Sequence, residues 1–180
     1  TAATEENGRV YNRSYNITPD GEILNHYDKI NLFRCNIQKE NINNVDESQI
    51  YSSGNRENIV NINDCLIGQG ICFDIRFPEH FTGYRQQKVN IITIPAAFTR
   101  KTGSLHWHTL VRARAIEGQC FVIAAAQVGE CNSQIKTYGH SLVVDPWGEI
   151  LADLGGKNEG FQTVELNFDK VKEVRESIRI

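Results

Sequence analysis

"VNIITIPAAF" at residues 89–98, then "SLHWHTLVRARAIEG" at 104–118, then "CFVIAAAQV" at 120–128 place an apolar run, a stretch of helical character and a second apolar run in succession. Apolar runs alternating with helical stretches read as an α/β fold. Runs this continuously apolar imply strands in a sheet covered on both faces. Moving outward, "CLIGQGICFDI" at 65–75 reads as another apolar strand and "PEHFTGYRQQK" at 78–88 as a short helix. Further out lie two hairpins. "RVYNRSYNIT" and "EILNHYDKINLF" flank "PDG" at 19–21, and "HSLVVD" and "EILADL" flank "PWG" at 146–148. In each, Pro presets the turn and Gly supplies the positive φ that closes it. Both carry the pattern Pro-x-Gly-Glu-Ile-Leu, at 19–24 and 146–151, a short echo that is weak support for an internal repeat. Residues 34–63, rich in Asn and Ser, read as one long loop.

Composition bounds the function. The 180 residues suit a single domain, here residues 1–180, and 40% hydrophobic content is enough for a core. A net charge of -3 shows none of the basic excess that a phosphate-neutralising surface needs, so nucleic acid is excluded as the main partner. No run approaches the roughly 18–20 apolar residues that cross a bilayer, which leaves the cytoplasm as the expected location. The five cysteines, Cys35, Cys65, Cys72, Cys120 and Cys131, form an odd set without a C-x-x-C pair, arguing against a zinc ribbon or a full disulfide framework. The chain contains no Met and opens on "TAATEENGRVYNRSYNIT", which reads as a domain already under way. The expectation is the C-terminal two-thirds of one domain.

In "GQGICFDIRFPEH", residues 68–80, Cys72 ends an apolar run and is followed at once by Asp74, Arg76 and Glu79. A cysteine in such a run is ordinarily a small core residue. Against that, the carboxyl ends of strands are where open α/β sheets build their sites. The Gly-x-Gly before Cys72 lets backbone approach closely, and the N–H groups after it could receive an oxyanion. Lys29, at the end of another strand, could share the pocket or sit on the surface. Phe98 and Thr99, at the carboxyl end of their strand, are candidates for lining a substrate cleft, with core packing the alternative for Phe98. His106 and His108 are two apart, which on a helix points them to different faces, so a shared metal is not expected and no metal site is predicted. Arg76, Glu79, Arg112 and Arg114 are read as structural ion-pair and turn-fixing residues.

Four stretches, "YDKINLF", "GQGICFDIRFPE", "IPAAFTRKTGSLHWHTLVRARAIE" and "YGHSLVVDPWGEILADLG", resemble in order and spacing the nitrilase-type carbon–nitrogen hydrolase superfamily. The resemblance runs from about residue 8 to the C-terminus, and the third stretch is most similar to the branch of deaminated glutathione amidases and ω-amidases. It implies a four-layer α-β-β-α sandwich, here without its N-terminal strands and helices. It also implies a Glu-Lys-Cys triad with a second glutamate nearby. Carried over by motif, Cys72 is the nucleophile, Lys29 the cation beside the oxyanion and Glu47, in "ESQIYSSGN", the second glutamate. The backbone N–H of Phe73 completes the oxyanion site. The general-base glutamate is expected on an earlier strand outside residues 1–180, so these residues alone are expected to be inactive.

The activity so implied is hydrolysis of a small ω-amide such as deaminated glutathione, through a cysteine thioester with release of ammonia and without a cofactor. Hydrolysis of a nitrile or N-carbamoyl compound on the same scaffold is one alternative. A non-catalytic binding or assembly subunit is another. The expected partners are the amide and water, with no nucleic acid or membrane, and the family resemblance implies a homodimer or larger homo-oligomer. A papain-like site fits less well, because it would pair Cys72 with a His and leave Lys29 without a role.

Overall fold

A computed structural model describes residues 1–35, 45–130 and 136–180. Cys131 lies outside them. In chain order the strands are β1 (Ala2–Glu6), β2 (Arg9–Ile17), β3 (Ile23–Asp28), β4 (Arg34–Cys35), β5 (Val45–Asp46), β6 (Ile59–Ile62), β7 (Cys65–Gln69), β8 (Ile91–Thr93), β9 (Phe121–Ala124), β10 (Val128–Glu130), β11 (Lys136–Tyr138), β12 (Leu142–Val144) and β13 (Ile150–Asp153). The helices are α1 (Pro78–Gln86), α2 (Arg100–Gly118) and α3 (Asp169–Ser177). None is long and apolar enough to cross a membrane. The architecture is mixed α/β, as expected from the alternation of apolar runs and helical spacing.

The main sheet has the order β13-β12-β9-β8-β7-β6. β7, β8 and β9 run parallel at its centre, and antiparallel strands flank them on both sides. A separate antiparallel sheet, β1-β2-β3, comes from the first hairpin and the strand before it. Strand alternation divides the core into two. Ile92, Val122 and Ala124 face a large cluster with Trp107, Val111 and Ala115 of α2 and Phe81 and Tyr84 of α1, whereas Ile91 and Phe121 face a smaller one with Val171 of α3. That is why the central runs are mostly apolar: both faces are covered.

The hairpins around "PDG" and "PWG" form as read, joining β2 to β3 and β12 to β13. The expected loop at 34–63 is instead broken by the β4–β5 pair, a 3-10 turn at Glu47–Gln49 and strand β6. β6 escapes the alternation rule because its partner β7 is reached through Asn63 and Asp64, both with positive φ, a tight turn without Pro or Gly. The apolar runs also shorten: β8 ends at Thr93, and the strand expected through Cys72 stops at Gln69.

Candidate active site

Lys29 follows the last residue of β3 and is clamped on both sides. Its N–H donates to the carbonyl of Asn12 (2.9 Å), and its carbonyl accepts from Gly54 N–H (2.9 Å). A side chain at residue 54 would put its Cβ 2.2 Å from the Asp28 carbonyl oxygen, so only Gly allows this approach. The Lys29 side chain is 1% exposed, and removing an ammonium from water is costly unless it is paired. Its partner is Glu47: Lys29 Nζ donates to Glu47 Oε2 at 2.5 Å.

Glu47 is itself positioned by backbone. Its N–H donates to the Phe33 carbonyl (2.9 Å), and Phe33 N–H returns to Glu47 Oε2 (2.7 Å). The 3-10 turn that carries it is capped by Asp46, whose Oδ1 accepts from the N–H (2.9 Å) and hydroxyl (2.6 Å) of Ser48.

Cys72 stands where β7 gives way to a 3-10 turn, Cys72–Arg76, with φ of 48°. A non-glycine residue in the left-handed region is strained, and such strain clusters at functional sites. Several groups hold it there. Cys72 N–H donates to the Pro95 carbonyl beyond β8 (2.9 Å), and Asp74, fully buried, locks the turn. Asp74 accepts from Ile71 N–H (2.8 Å), Tyr27 hydroxyl (2.7 Å), and the N–H (2.8 Å) and side-chain amide (2.9 Å) of Asn31. Phe73 lies in the first turn, where the turn itself offers its N–H no acceptor.

Cys72, Lys29 and Glu47 line one cavity of about 750 Å³, with Asn12, Tyr51 and Thr99 also on its walls. A small annex of about 40 Å³ adjoins Cys72, bounded by Phe73, Arg76, Phe98 and Thr102 among others. Burial pushes the Cys72 thiol above its ordinary pKa. The Lys29 charge and a hydrogen bond from the Ala97 backbone pull it down, and the Glu47 and Asp74 carboxylates push it up again. The resting group is therefore a neutral thiol that needs a base before it attacks.

The remaining candidates divide. Thr99 lines the cavity and caps α2, its hydroxyl accepting from Thr102 N–H (3.5 Å). Phe98 is 6% exposed, packs on Trp107 (ring centroids 4.8 Å) and meets the annex rather than the main cavity. Arg76, read from sequence as a turn-fixing residue, has its guanidinium 5.9 Å and 5.3 Å from the ring centroids of Phe73 and Phe98, on the annex wall. Asp74 was not singled out for any role, and nothing in its local pattern announces that it gathers partners from two distant segments. Arg114 pairs with Glu117 (2.6 Å), as expected of a structural residue. Among the described residues, two groups have metal-ligand character, His108–His140–Asp153 and Glu6–His26–Asp28, and neither includes Cys72, Lys29 or Glu47. In the second, Arg13 already holds Asp28 through two hydrogen bonds (2.6 and 2.8 Å), so a cation there is in place.

A strained cysteine at the carboxyl end of a central strand, with a buried lysine–glutamate pair in the same cavity, is a thiol site on a mixed α/β scaffold. Residues 1–176 match the model of the family described as "Carbon-nitrogen hydrolase", and the chain belongs to that family. It is 40% identical over 175 residues to a deaminated glutathione amidase of Synechocystis sp., covering 96% of this chain and 63% of that protein. It is 34% identical over 176 residues to the Omega-amidase NIT2 of Homo sapiens, covering 98% and 63%. The crystal structure of Saccharomyces cerevisiae Nit3, described as a member of branch 10 of the nitrilase superfamily, superposes with a TM-score of 0.82 at 30% identity, covering 96% of this chain and 59% of that one. The chain thus spans about three-fifths of the length of these relatives.

Proposed function

We propose that this protein hydrolyses the terminal amide of a small ω-amide, deaminated glutathione being the first candidate, with Cys72 as nucleophile. The observation that carries this reading is the buried Lys29–Glu47 pair lining the same cavity as the Cys72 thiol. A lysine side chain at 1% exposure, paired with Glu47, has a strong reason to be there if a negative charge develops beside it.

In this mechanism the Cys72 sulfur attacks the amide carbonyl as its proton passes to a base. Lys29 and the Phe73 N–H hold the tetrahedral oxyanion. Collapse breaks the C–N bond, ammonia leaves with the transferred proton, and a thioester remains on Cys72. Water, deprotonated by a glutamate other than Glu47, then releases the acid and restores the thiol. Glu47 holds Lys29 in orientation through their contact, and Thr99 and Phe98 shape the space around the acyl chain. The partners are the amide and water, no cofactor takes part, and the protein acts in the cytoplasm as a homodimer or larger homo-oligomer.

The test is ammonia release by the complete gene product from a panel of ω-amides including deaminated glutathione, alongside nitriles and N-carbamoyl acids, with Cys72→Ala as control. Turnover of amides and a dead control support the reading. Turnover confined to nitriles or N-carbamoyl acids replaces the substrate class. No turnover by either protein would sink the enzyme reading in favour of a binding subunit.

A further inference from the structure

On the far side of α2 from Arg76, three side chains from three elements converge. His108 comes from α2, His140 from the segment between β11 and β12, and Asp153 from the end of β13. His108 Nε2 lies 3.0 Å from Asp153 Oδ2, and His140 Nδ1 lies 2.9 and 3.0 Å from the two Asp153 oxygens. One ligand atom from each falls within 4.8 Å of the others. We propose that His108, His140 and Asp153 form a binding site for a borderline divalent transition metal of the Zn²⁺ type.

Geometry and donor chemistry both support this. Metal–ligand bonds of about 2.0–2.1 Å in a tetrahedral site put neighbouring ligand atoms about 3.3 Å apart, so the two histidine–Asp153 separations of about 3.0 Å need shifts of only a few tenths of an ångström, while the set as a whole lies within 4.8 Å. Two imidazoles and one carboxylate suit Zn²⁺ and its first-row neighbours, whereas Mg²⁺ and Ca²⁺ prefer all-oxygen sets. Three protein ligands leave a fourth position for water, and Asp153 is exposed, so solvent reaches the cluster.

The ligands are also held in place. The His140 ring stacks on Tyr138 (centroids 4.3 Å, 24° between planes), and a side chain at Gly156 would put its Cβ 3.1 Å from His140 Nε2. His140 sits at φ of 58°, the left-handed region that a non-glycine residue seldom occupies without a reason. Asp153 Oδ1 also accepts from Gly155 N–H (2.8 Å), and the Tyr138 hydroxyl lies 3.5 Å from His108 Nδ1, the nitrogen turned away from the carboxylate. Such outer contacts orient metal-ligating histidines. Without metal, each imidazole faces the carboxylate and the cluster satisfies itself. Binding replaces those contacts with bonds to one cation and fastens α2 to the β12–β13 hairpin.

The sequence did not point here, since it paired His108 with His106. In the structure His106 Nδ1 instead faces Arg76 Nη2 (3.2 Å). The site is apart from the Cys72 cavity, so its test does not depend on the proposed activity. The purified protein, stripped with chelator and with its thiols alkylated, is titrated with Zn²⁺ by calorimetry and with Co²⁺ by visible absorption. One equivalent should bind, and both His108→Ala and Asp153→Asn should weaken binding about 100-fold or more, while His106→Ala leaves it unchanged. Saturating Zn²⁺ should raise the melting temperature of the parent and of His106→Ala but not of the other two. Both substituted side chains are partly exposed, and circular dichroism confirms that each variant is folded; should one fail, the other decides. No saturable binding below about 100 μM, or binding unchanged in His108→Ala and Asp153→Asn, overturns the proposal.

Discussion

Asp74 Oδ2 accepts the Tyr27 hydroxyl at 2.7 Å, joining the turn that carries Cys72 to the strand that delivers Lys29. The carboxylate is fully buried, and burial together with its charge pushes the Tyr27 phenol far above its ordinary pKa, so the tyrosine remains a donor throughout the working range. Asp74→Ala leaves donors from Ile71, Asn31 and Tyr27 without an acceptor. It should destabilise the fold by about 3–5 kcal/mol, read as a lower urea midpoint with an unchanged slope. Asp74→Asn, which still accepts, should lose less. A midpoint unmoved in both would show that this turn is held by something else.

Lys29→Ala removes a proposed oxyanion donor and should lower kcat by about 10²–10³. It also removes the cation that holds the Cys72 thiol down, so alkylation of Cys72 by iodoacetamide should shift to higher pH. The paired readout matters. A loss of turnover with an unmoved alkylation profile would place Lys29 away from the thiol.

Glu47→Ala strands a buried ammonium. The carboxylate is 21% exposed, so the cost sits below that of a sealed pair, at about 1–3 kcal/mol. Activity should fall with it, because Lys29 loses the contact that orients it. Glu47→Gln should recover part of the stability. Equal melting temperatures for all three proteins would refute the pairing.

Gly54→Ala tests whether Lys29 is placed by its backbone. The added Cβ would meet the Asp28 carbonyl, a backbone group that cannot swing aside, and push the Asp28–Lys29 peptide away from the cavity. We expect a clear fall in kcat in a folded protein whose Cys72 alkylation moves to higher pH, in the same direction as in Lys29→Ala but by less. Wild-type turnover would show that the clamp is slack.

Cys120 is fully buried, and burial pushes its thiol up to about 12 from an ordinary value near 9. The group is raised, so its contribution is intact below the unfolded pKa and is lost as pH climbs toward the folded one. Between about pH 9 and 10, before the buried tyrosines add their share, unfolding free energy should fall by about 1.4 kcal/mol per pH unit from this group. Cys120→Ala should flatten that decline even though it lowers stability at neutral pH. An equally steep decline in the variant would assign it to other groups.

The parts of the fold that were legible in the sequence are those where one local rule suffices. "PDG" and "PWG" close hairpins because Pro and Gly set their φ angles, and the runs at 89–98 and 120–128 supply central strands β8 and β9 because burial on both faces favours a mostly apolar stretch. Strand β6 and the small β4–β5 pair were not legible, since tertiary pairing rather than local pattern makes them extended. For the site, Cys72 and Lys29 could be suspected from their places at strand ends, their roles came from family resemblance, and Glu47 was reachable only through that resemblance. Their convergence depends on Asp74 and Phe33, whose roles exist only once distant segments meet. Arg76, read as fixing the turn, ends the Cys72–Arg76 turn and also meets Phe98, a contact from beyond β8 that no local pattern shows.

The left-handed turn at Cys72 sets the order in which danger and competence arrive during biosynthesis. A peptide that has not docked β7 against β8 has no Pro95 carbonyl to hold residue 72 at positive φ, and a peptide that has not docked β3 has neither Tyr27 nor Lys29 in place. The newly made protein therefore carries an ordinary, unshielded thiol until its two sheets have joined. The placed thiol, shielded by burial and set beside Lys29, is the last property it acquires, and any unfolding that parts the sheets returns the cysteine to the ordinary reactivity of a free thiol.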